Sequence, residues 1–242
     1  MMSKRKAKKQ RKGIVLIVEG TSDQTILEGY LECVFPNCVV ETSVFHGDLT
    51  CGLDENKKMI RDYDPKRVVE SIVLKALMKN GWRPQDVRRV IHITDTDGAY
   101  VDNSYIEEDQ TIEGKMLCTD SALLSKNPAA TRIRNRFKRR YTLELLKHSK
   151  LQNYGWDINY ELYYMSTNLE HVTQGSCSIY SMEEKNNLAI EVRNRCFEDG
   201  DYALRLFSDQ SLEGKTIDES WSFIMSDGRS LERHTNLGLL NP

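Results

Sequence analysis

Three carboxylates carry the clearest chemical signal in this chain of 242 residues: Glu19, Asp95 and Asp97. Glu19 follows the apolar run Ile14-Val15-Leu16-Ile17-Val18, and the two aspartates follow Val90-Ile91-His92-Ile93-Thr94. Converging anions repel one another and raise their own pKa values, a penalty that a divalent cation removes. Magnesium prefers hard oxygen ligands, taking one or two carboxylates and keeping waters for substrate phosphates. The i, i+2 spacing of Asp95 and Asp97 aims both side chains to one side of an extended chain, and Gly98 lets the backbone turn or a phosphate approach closely. Phosphoryl chemistry needs charge neutralisation and a group that handles protons. Asp95 and Asp97 suit the first role; Glu19 suits a general acid or base, a second metal ligand, or both. A Glu-Gly after a strand is common, and Asp-x-Asp after a strand is commonly a capped turn. Together, 76 residues apart and each behind a buried strand, the two are more specific.

The elements that must position them read as an alternation. Ile14 to Val18 suits a strand buried on both faces. Gly20 permits a tight turn, and Thr21 with Gln24 fits a capping box. A helix with Ile26, Leu27, Tyr30, Leu31 and Val34 at helical spacing follows, then a strand from Cys38 to Phe45. Residues 47–63 read as loop. A second helix starts at Asp64-Pro65 and ends at Asn80-Gly81, and Val90 to Thr94 is a third strand. Strand, helix, strand, helix, strand predicts a parallel α/β sheet with right-handed crossovers, whose functional residues collect at the carboxyl ends of the strands. Residues 99–130 read as an irregular insertion. From Thr131 to about Lys150 a helix is expected to bury Ile133, Phe137, Tyr141 and Leu145. Tyr160 to Met165 reads as a further strand of the same sheet, and Met182 to Phe197 as a helix.

Val18-Glu19-Gly20-Thr21-Ser22-Asp23 resembles the Glu-Gly motif of Toprim domains, and Ile93-Thr94-Asp95-Thr96-Asp97-Gly98 resembles their Asp-x-Asp motif. The resemblance covers residues 14–98 well and the rest more loosely. It implies a Toprim, Rossmann-like fold: a parallel sheet flanked by helices over 13–170, with a helical insertion near 99–150 and a mainly helical C-terminal extension over 171–242. It further implies a magnesium-dependent nuclease, with manganese as a substitute ion, acting on DNA or RNA through Glu19, Asp95 and Asp97. The size matches the small Toprim nucleases, since the chain lacks room for topoisomerase gate domains and has no zinc module of a primase.

A basic leader, the Toprim glutamate and the late Ser166-Thr167-Asn168-Leu169-Glu170 segment together look like the RloB-like branch, close to the OLD nucleases of phage defence. That branch more often reads Ser-Asn-Pro-x-x-Glu there, and this chain lacks the proline. Glu170 is either a fourth acidic metal ligand or a surface capping carboxylate. Members of this branch often accompany an ATPase that senses phage, so an AAA- or ABC-type ATPase partner in abortive infection is implied. The chain itself has no Gly-x-x-x-x-Gly-Lys-Ser/Thr loop. The alternative is a non-catalytic Toprim-fold module for nucleic-acid binding or assembly.

Composition sets the remaining bounds. With 39% hydrophobic and 29% charged residues the balance is that of a soluble globular chain. No apolar run reaches the ~20 residues of a membrane span and no secretory signal is recognisable, so a cytoplasmic protein is expected. Six scattered cysteines include no Cys-x-x-Cys pair and read as reduced structural thiols, and His92 reads as a core residue. The net charge of −2 hides an asymmetry: seven of the 34 basic residues lie between Lys4 and Lys12, leaving 27 against 36 acidic ones. Residues 1–12 read as a disordered basic arm, which suits an anionic polymer or acidic partner or is simply a solvated leader.

A second basic cluster, Arg132, Arg134, Arg136, Lys138, Arg139 and Arg140, is six residues in nine. Arginine donates two hydrogen bonds to phosphate through its planar fork, so these six are candidate nucleic-acid contacts. An ordinary solvated face, or pairing with Glu107, Glu108 and Asp109, is the competing reading. Trp156, Tyr160, Tyr163 and Tyr164 could stack bases, and core packing explains them as well.

Overall fold

The computed structural model describes residues 12–56, 58–153, 156–175, 180–226 and 228–242. The basic arm from Lys4 to Arg11, Cys177 and the side chain of Trp156 lie outside this description.

The expected alternation is present. The strand β1 (Gly13–Val18) leads into helix α1 (Thr21–Val34), followed by β2 (Val39–Val44), α2 (Pro65–Asn80) and β3 (Val87–Asp95). All six residues of β1 are buried, which is why its sequence is continuously apolar rather than alternating. Helix α2 is bounded as its sequence dictates: Asp64 accepts from the Arg67 amide, Pro65 opens the first turn, and Gly81 closes the helix at φ 61. The start of α1 differs from expectation. Gly20 is the N-cap with no side-chain cap, and Gln24 bonds to Glu28 instead of closing a box with Thr21.

Residues 99–130 are more ordered than the sequence suggests. Three-residue strands β4 (Ile106–Glu108), β5 (Met116–Cys118) and β6 (Leu123–Ser125) form a small separate sheet in the order β4-β6-β5. Ile106, Cys118 and Leu123 pack with Leu231 in a satellite core. Strands this short leave too little alternation to read.

Helix α3 (Pro128–Leu146) follows, then β7 (Lys150–Asn153) and β8 (Trp156–Met165). The main sheet has the order β2-β1-β3-β8-β7. Its first four strands are mutually parallel and β7 runs antiparallel to β8. The remainder is mostly helical: α4 (Leu169–Gln174), α5 (Met182–Glu198), α6 (Gly200–Leu206) and α7 (Ile217–Ile224). One face of the sheet packs Ile14, Leu16 and Val18 against α1, α5 and α6. The other packs Val15, Ile17 and Val90 against α2, the end of α3 and Trp221 and Ile224 of α7. The result is a mixed α/β, Rossmann-like fold with a mostly parallel sheet flanked by helices.

The last residues return to β8. Because β7 pairs only with Trp156 to Asn159, the outer edge of β8 beyond that point needs other partners. Trp221 Nε1 donates to the Leu162 carbonyl (2.9 Å), the Tyr164 amide donates to Asn236 Oδ1 (2.8 Å), and Thr235 Oγ1 donates to the Tyr164 carbonyl (2.8 Å). Among the described residues no helix is long and apolar enough to cross a membrane.

Candidate carboxylate site

Strands β1, β3 and β8 are adjacent and parallel, so their carboxyl ends share one edge. Glu19 follows β1, Asp95 is the last residue of β3, Asp97 lies two residues on, and Glu170 sits in the first turn of α4 just past β8. All four line one cleft of about 550 Å³. The structure adds neighbours that sequence reasoning missed: Asp23 from the first turn of α1, Asp48 and His46 from the loop after β2, and Lys185 from α5. Asp23 carried a signal, lying in the first turn of the helix that follows Glu19. Asp48 carried none, because it lies in a segment without periodicity.

The carboxylates divide into two groups. Glu19 and Asp48 join through two buried hydroxyls: Thr94 Oγ1 donates to Glu19 Oε1 (3.1 Å), and Thr50 Oγ1 contacts both Thr94 Oγ1 (3.0 Å) and Asp48 Oδ1 (3.1 Å). Desolvation, then Asp48 and Asp97, push the Glu19 carboxyl up to about 8, against the pull of Lys138 and the Thr94 hydroxyl. Asp48 goes the other way: burial opposes its ionisation, but Lys138 and Arg134 hold it well below the usual carboxylate range. In the second group Lys185 Nζ lies 2.8 Å from Glu170 Oε1. Desolvation and the Glu170 charge push Asp23 up to about 6. Glu170 is buried at 6% exposure and belongs to the cleft wall, not to the surface.

Asp95 stands between the groups. Desolvation first, and then the charges of Asp23, Asp97 and Glu19, raise its pKa well above the ordinary value. Among the described residues its carboxylate receives no hydrogen bond and makes no ion pair.

The Asp-x-Asp loop is locked to the loop after β8. The Thr96 amide donates to the Met165 carbonyl (2.9 Å), the Asp97 amide to the Thr167 carbonyl (2.8 Å), and the Thr167 amide to Thr96 Oγ1 (2.8 Å). Asp97 and Thr167 both take left-handed backbone conformations, φ 46 and φ 56. Such strain costs about 1 kcal/mol or more for a non-glycine residue and persists where surroundings over-determine it.

Helix α3 corrects the sequence expectation. Its buried face is Thr131, Asn135, Lys138, Tyr141, Thr142 and Leu145, whereas Ile133 is 53% exposed. Arg134 donates to the Asp97 carbonyl (2.9 Å) and to Asp97 Oδ2 (2.5 Å). Lys138, fully buried, donates to Asp97 Oδ2 (2.7 Å) and lies 3.3 Å from Asp48 Oδ2. Arg139 donates to the Ala99 carbonyl (2.6 Å) and to that of Val101. These three cations therefore hold the protein together, and Lys138 in particular is not a surface contact for nucleic acid. Arg132, Arg136 and Arg140 are exposed. The rotation has an electrostatic cause: buried carboxylates need counter-charge more than Ile133 needs burial. Tyr160, Tyr163 and Tyr164 are core residues at 3% exposure or less, closed to base stacking. His92 is likewise buried, with Nδ1 2.7 Å from the Tyr160 hydroxyl.

The donor set suits a magnesium ion: hard carboxylate oxygens around a solvent-open cleft, with an excess of negative charge that Asp95 shows most plainly. Glu19, Asp23, Asp48, Asp95, Asp97 and Glu170 are among the carboxylates that line the cleft. Among the described residues no group of three or more histidine, cysteine, aspartate or glutamate side chains is placed so that it could hold a metal ion as the side chains stand. Cys33, Cys38, Cys51 and Cys196 are thiols outside any disulfide among the described residues. No protein-family model matches the chain, and no curated protein or solved structure matches it.

Proposed function

We propose that this chain is a metal-dependent nuclease of the Toprim kind, hydrolysing nucleic-acid phosphodiesters with magnesium or manganese. The observation that carries the reading is the convergence of Glu19, Asp95, Asp97 and Glu170, from three adjacent parallel strands, on one open cleft. A bound divalent ion would neutralise phosphate charge and lower the pKa of a water molecule. Asp95 and Glu19 would hold it. Glu19 is also the candidate to handle a proton, as a carboxyl at the cleft whose Oε1 accepts from the Thr94 hydroxyl at 3.1 Å. Arg132, Arg136 and Arg140, exposed at successive turns of α3, would take the phosphate backbone.

One observation favours a second reading, a non-catalytic binding or assembly module: Asp97 Oδ2 is already engaged by Arg134 and Lys138. Incubating the protein with plasmid DNA, tRNA and single-stranded oligonucleotides separates the two. The nuclease reading expects cleavage with magnesium or manganese, none with EDTA, and none from Glu19→Ala or Asp95→Ala at unchanged fold. A well-folded protein that binds but never cuts would support the module. The wider role, a cytoplasmic anti-phage effector held by an AAA- or ABC-type ATPase, rests on the motif resemblance. Co-purification of such an ATPase from the native host tests it.

A further inference from the structure

The Asp-x-Asp pair is symmetric in sequence and asymmetric in structure. Asp95 has no donor among the described residues, whereas Asp97 is held from four directions. Its Oδ2 takes Arg134 Nη2 at 2.5 Å and Lys138 Nζ at 2.7 Å, its carbonyl takes Arg134 Nη1 at 2.9 Å, and its amide donates to Thr167 at 2.8 Å. The cations that hold it are themselves committed. Lys138 is fully buried and shared with Asp48, whose Oδ1 also takes the Cys51 amide at 2.8 Å. A lysine with no solvent exposure, placed between two carboxylates, is a counter-charge that both would lose on its removal.

We propose that Lys138 is this site's resident cation, and that with Asp48 and Arg134 it makes Asp97 a positioning residue rather than a metal ligand. The divalent ion is left to Asp95 and Glu19, with Asp23 beside them, since Glu170 is itself paired with Lys185 at 2.8 Å. This assignment rests on the metal-dependent nuclease reading above. Asp97 then acts through geometry: its left-handed turn, pinned by α3 on one side and Thr167 on the other, aims Asp95 into the cleft. Lys138 contributes a fixed charge close to Glu19, which offsets the repulsion between Glu19, Asp48 and Asp97 without occupying an ion's place.

Manganese binding, followed by titration and by the electron spin resonance of the bound ion, tests this on the full chain. Asp95→Asn is expected to weaken Mn²⁺ binding by about tenfold or more and to change the spectrum of the bound ion. Asp97→Asn is expected to leave the spectrum of the bound ion unchanged, with affinity lowered by about tenfold, while lowering the melting temperature and kcat with little change in KM. Because Lys138→Met alone strands two buried carboxylates, the paired variant Asp48→Asn/Lys138→Met is measured beside it. It is expected to keep the wild-type Mn²⁺ spectrum and to lose kcat. A spectrum altered in Asp97→Asn as much as in Asp95→Asn makes Asp97 a ligand and overturns the inference while leaving the nuclease reading intact. Loss of the spectrum in the paired variant overturns it as well. A folded wild-type protein that binds no Mn²⁺ overturns the metal-dependent reading and this inference with it.

Discussion

Asp95 ends a parallel strand with its carboxylate among three others, and among the described residues no hydrogen bond or ion pair meets it, whereas His234 shows the opposite arrangement. Its Nδ1 lies 2.8 Å from Asp209 Oδ2 and its Nε2 lies 3.1 Å from Glu232 Oε2. Burial opposes protonation of the ring, but Asp209 and then Glu232 outweigh it and raise its pKa. A histidine whose folded pKa is raised contributes stability that is complete below its unfolded value, about 6.5, and fades as pH climbs through the folded value. Asp209 is shifted down, so its share persists until the medium becomes strongly acidic. The melting-temperature advantage of wild type over His234→Gln should therefore be largest in mildly acidic buffer and shrink in alkaline buffer. An advantage that grew with pH would mean that the ring is neutral in the folded protein.

At the scale of elements, α3 has two polar sides with different duties. Arg134, Lys138 and Arg139 are spent inside the protein, and Arg132, Arg136 and Arg140 stand outside it. Replacing the outer three by glutamine should leave the melting temperature nearly unchanged. It should flatten the salt dependence of nucleic-acid binding by about 0.9 for each duplex phosphate that is no longer neutralised. An unchanged salt slope would show that the outer face is merely solvated. The same helix marks the limit of what the sequence made legible. Strand β1 could be read because burial on both faces leaves an unbroken apolar run, β3 because Val90 to Thr94 is buried and mostly apolar, and α2 because Asp64, Pro65 and Gly81 punctuate it. From those came the parallel sheet and the shared edge for Glu19 and Asp95. The buried face of α3 could not be read, because a periodicity rule assigns burial to Ile133 and Phe137. The actual choice depended on Asp48, which sits in a loop far along the chain from the helix and outside both acidic motifs. Glu170 was legible only as one of two alternatives, since its burial depends on how α5 brings Lys185 alongside.

For the whole molecule, the carboxylate edge is assembled from widely separated stretches: β1, β3, the turn after β8, and the segment around His234 to Asn236 that borders it. The Ser166 amide donates to the His234 carbonyl at 2.8 Å, and Asn236 ties the Tyr164 amide to the Ser220 hydroxyl. Asn236→Ala leaves the Tyr164 amide buried without a partner, which costs about 1–3 kcal/mol. Chemical denaturation should register that loss, and equal midpoints for the two proteins would mean that Tyr164 finds another acceptor.

That late contact also has a bearing on how the chain is made. Tyr164 and Asn236 are 72 residues apart, so during synthesis β8 is complete well before the residues that cover its flank. A nascent chain at that stage presents an unshielded strand beside a largely formed sheet, the kind of surface that pairs with neighbouring polypeptides. Expression yield should accordingly depend more on how quickly the stretch around Asn236 is delivered, and on chaperones that shelter the strand meanwhile, than on the stability of the finished fold.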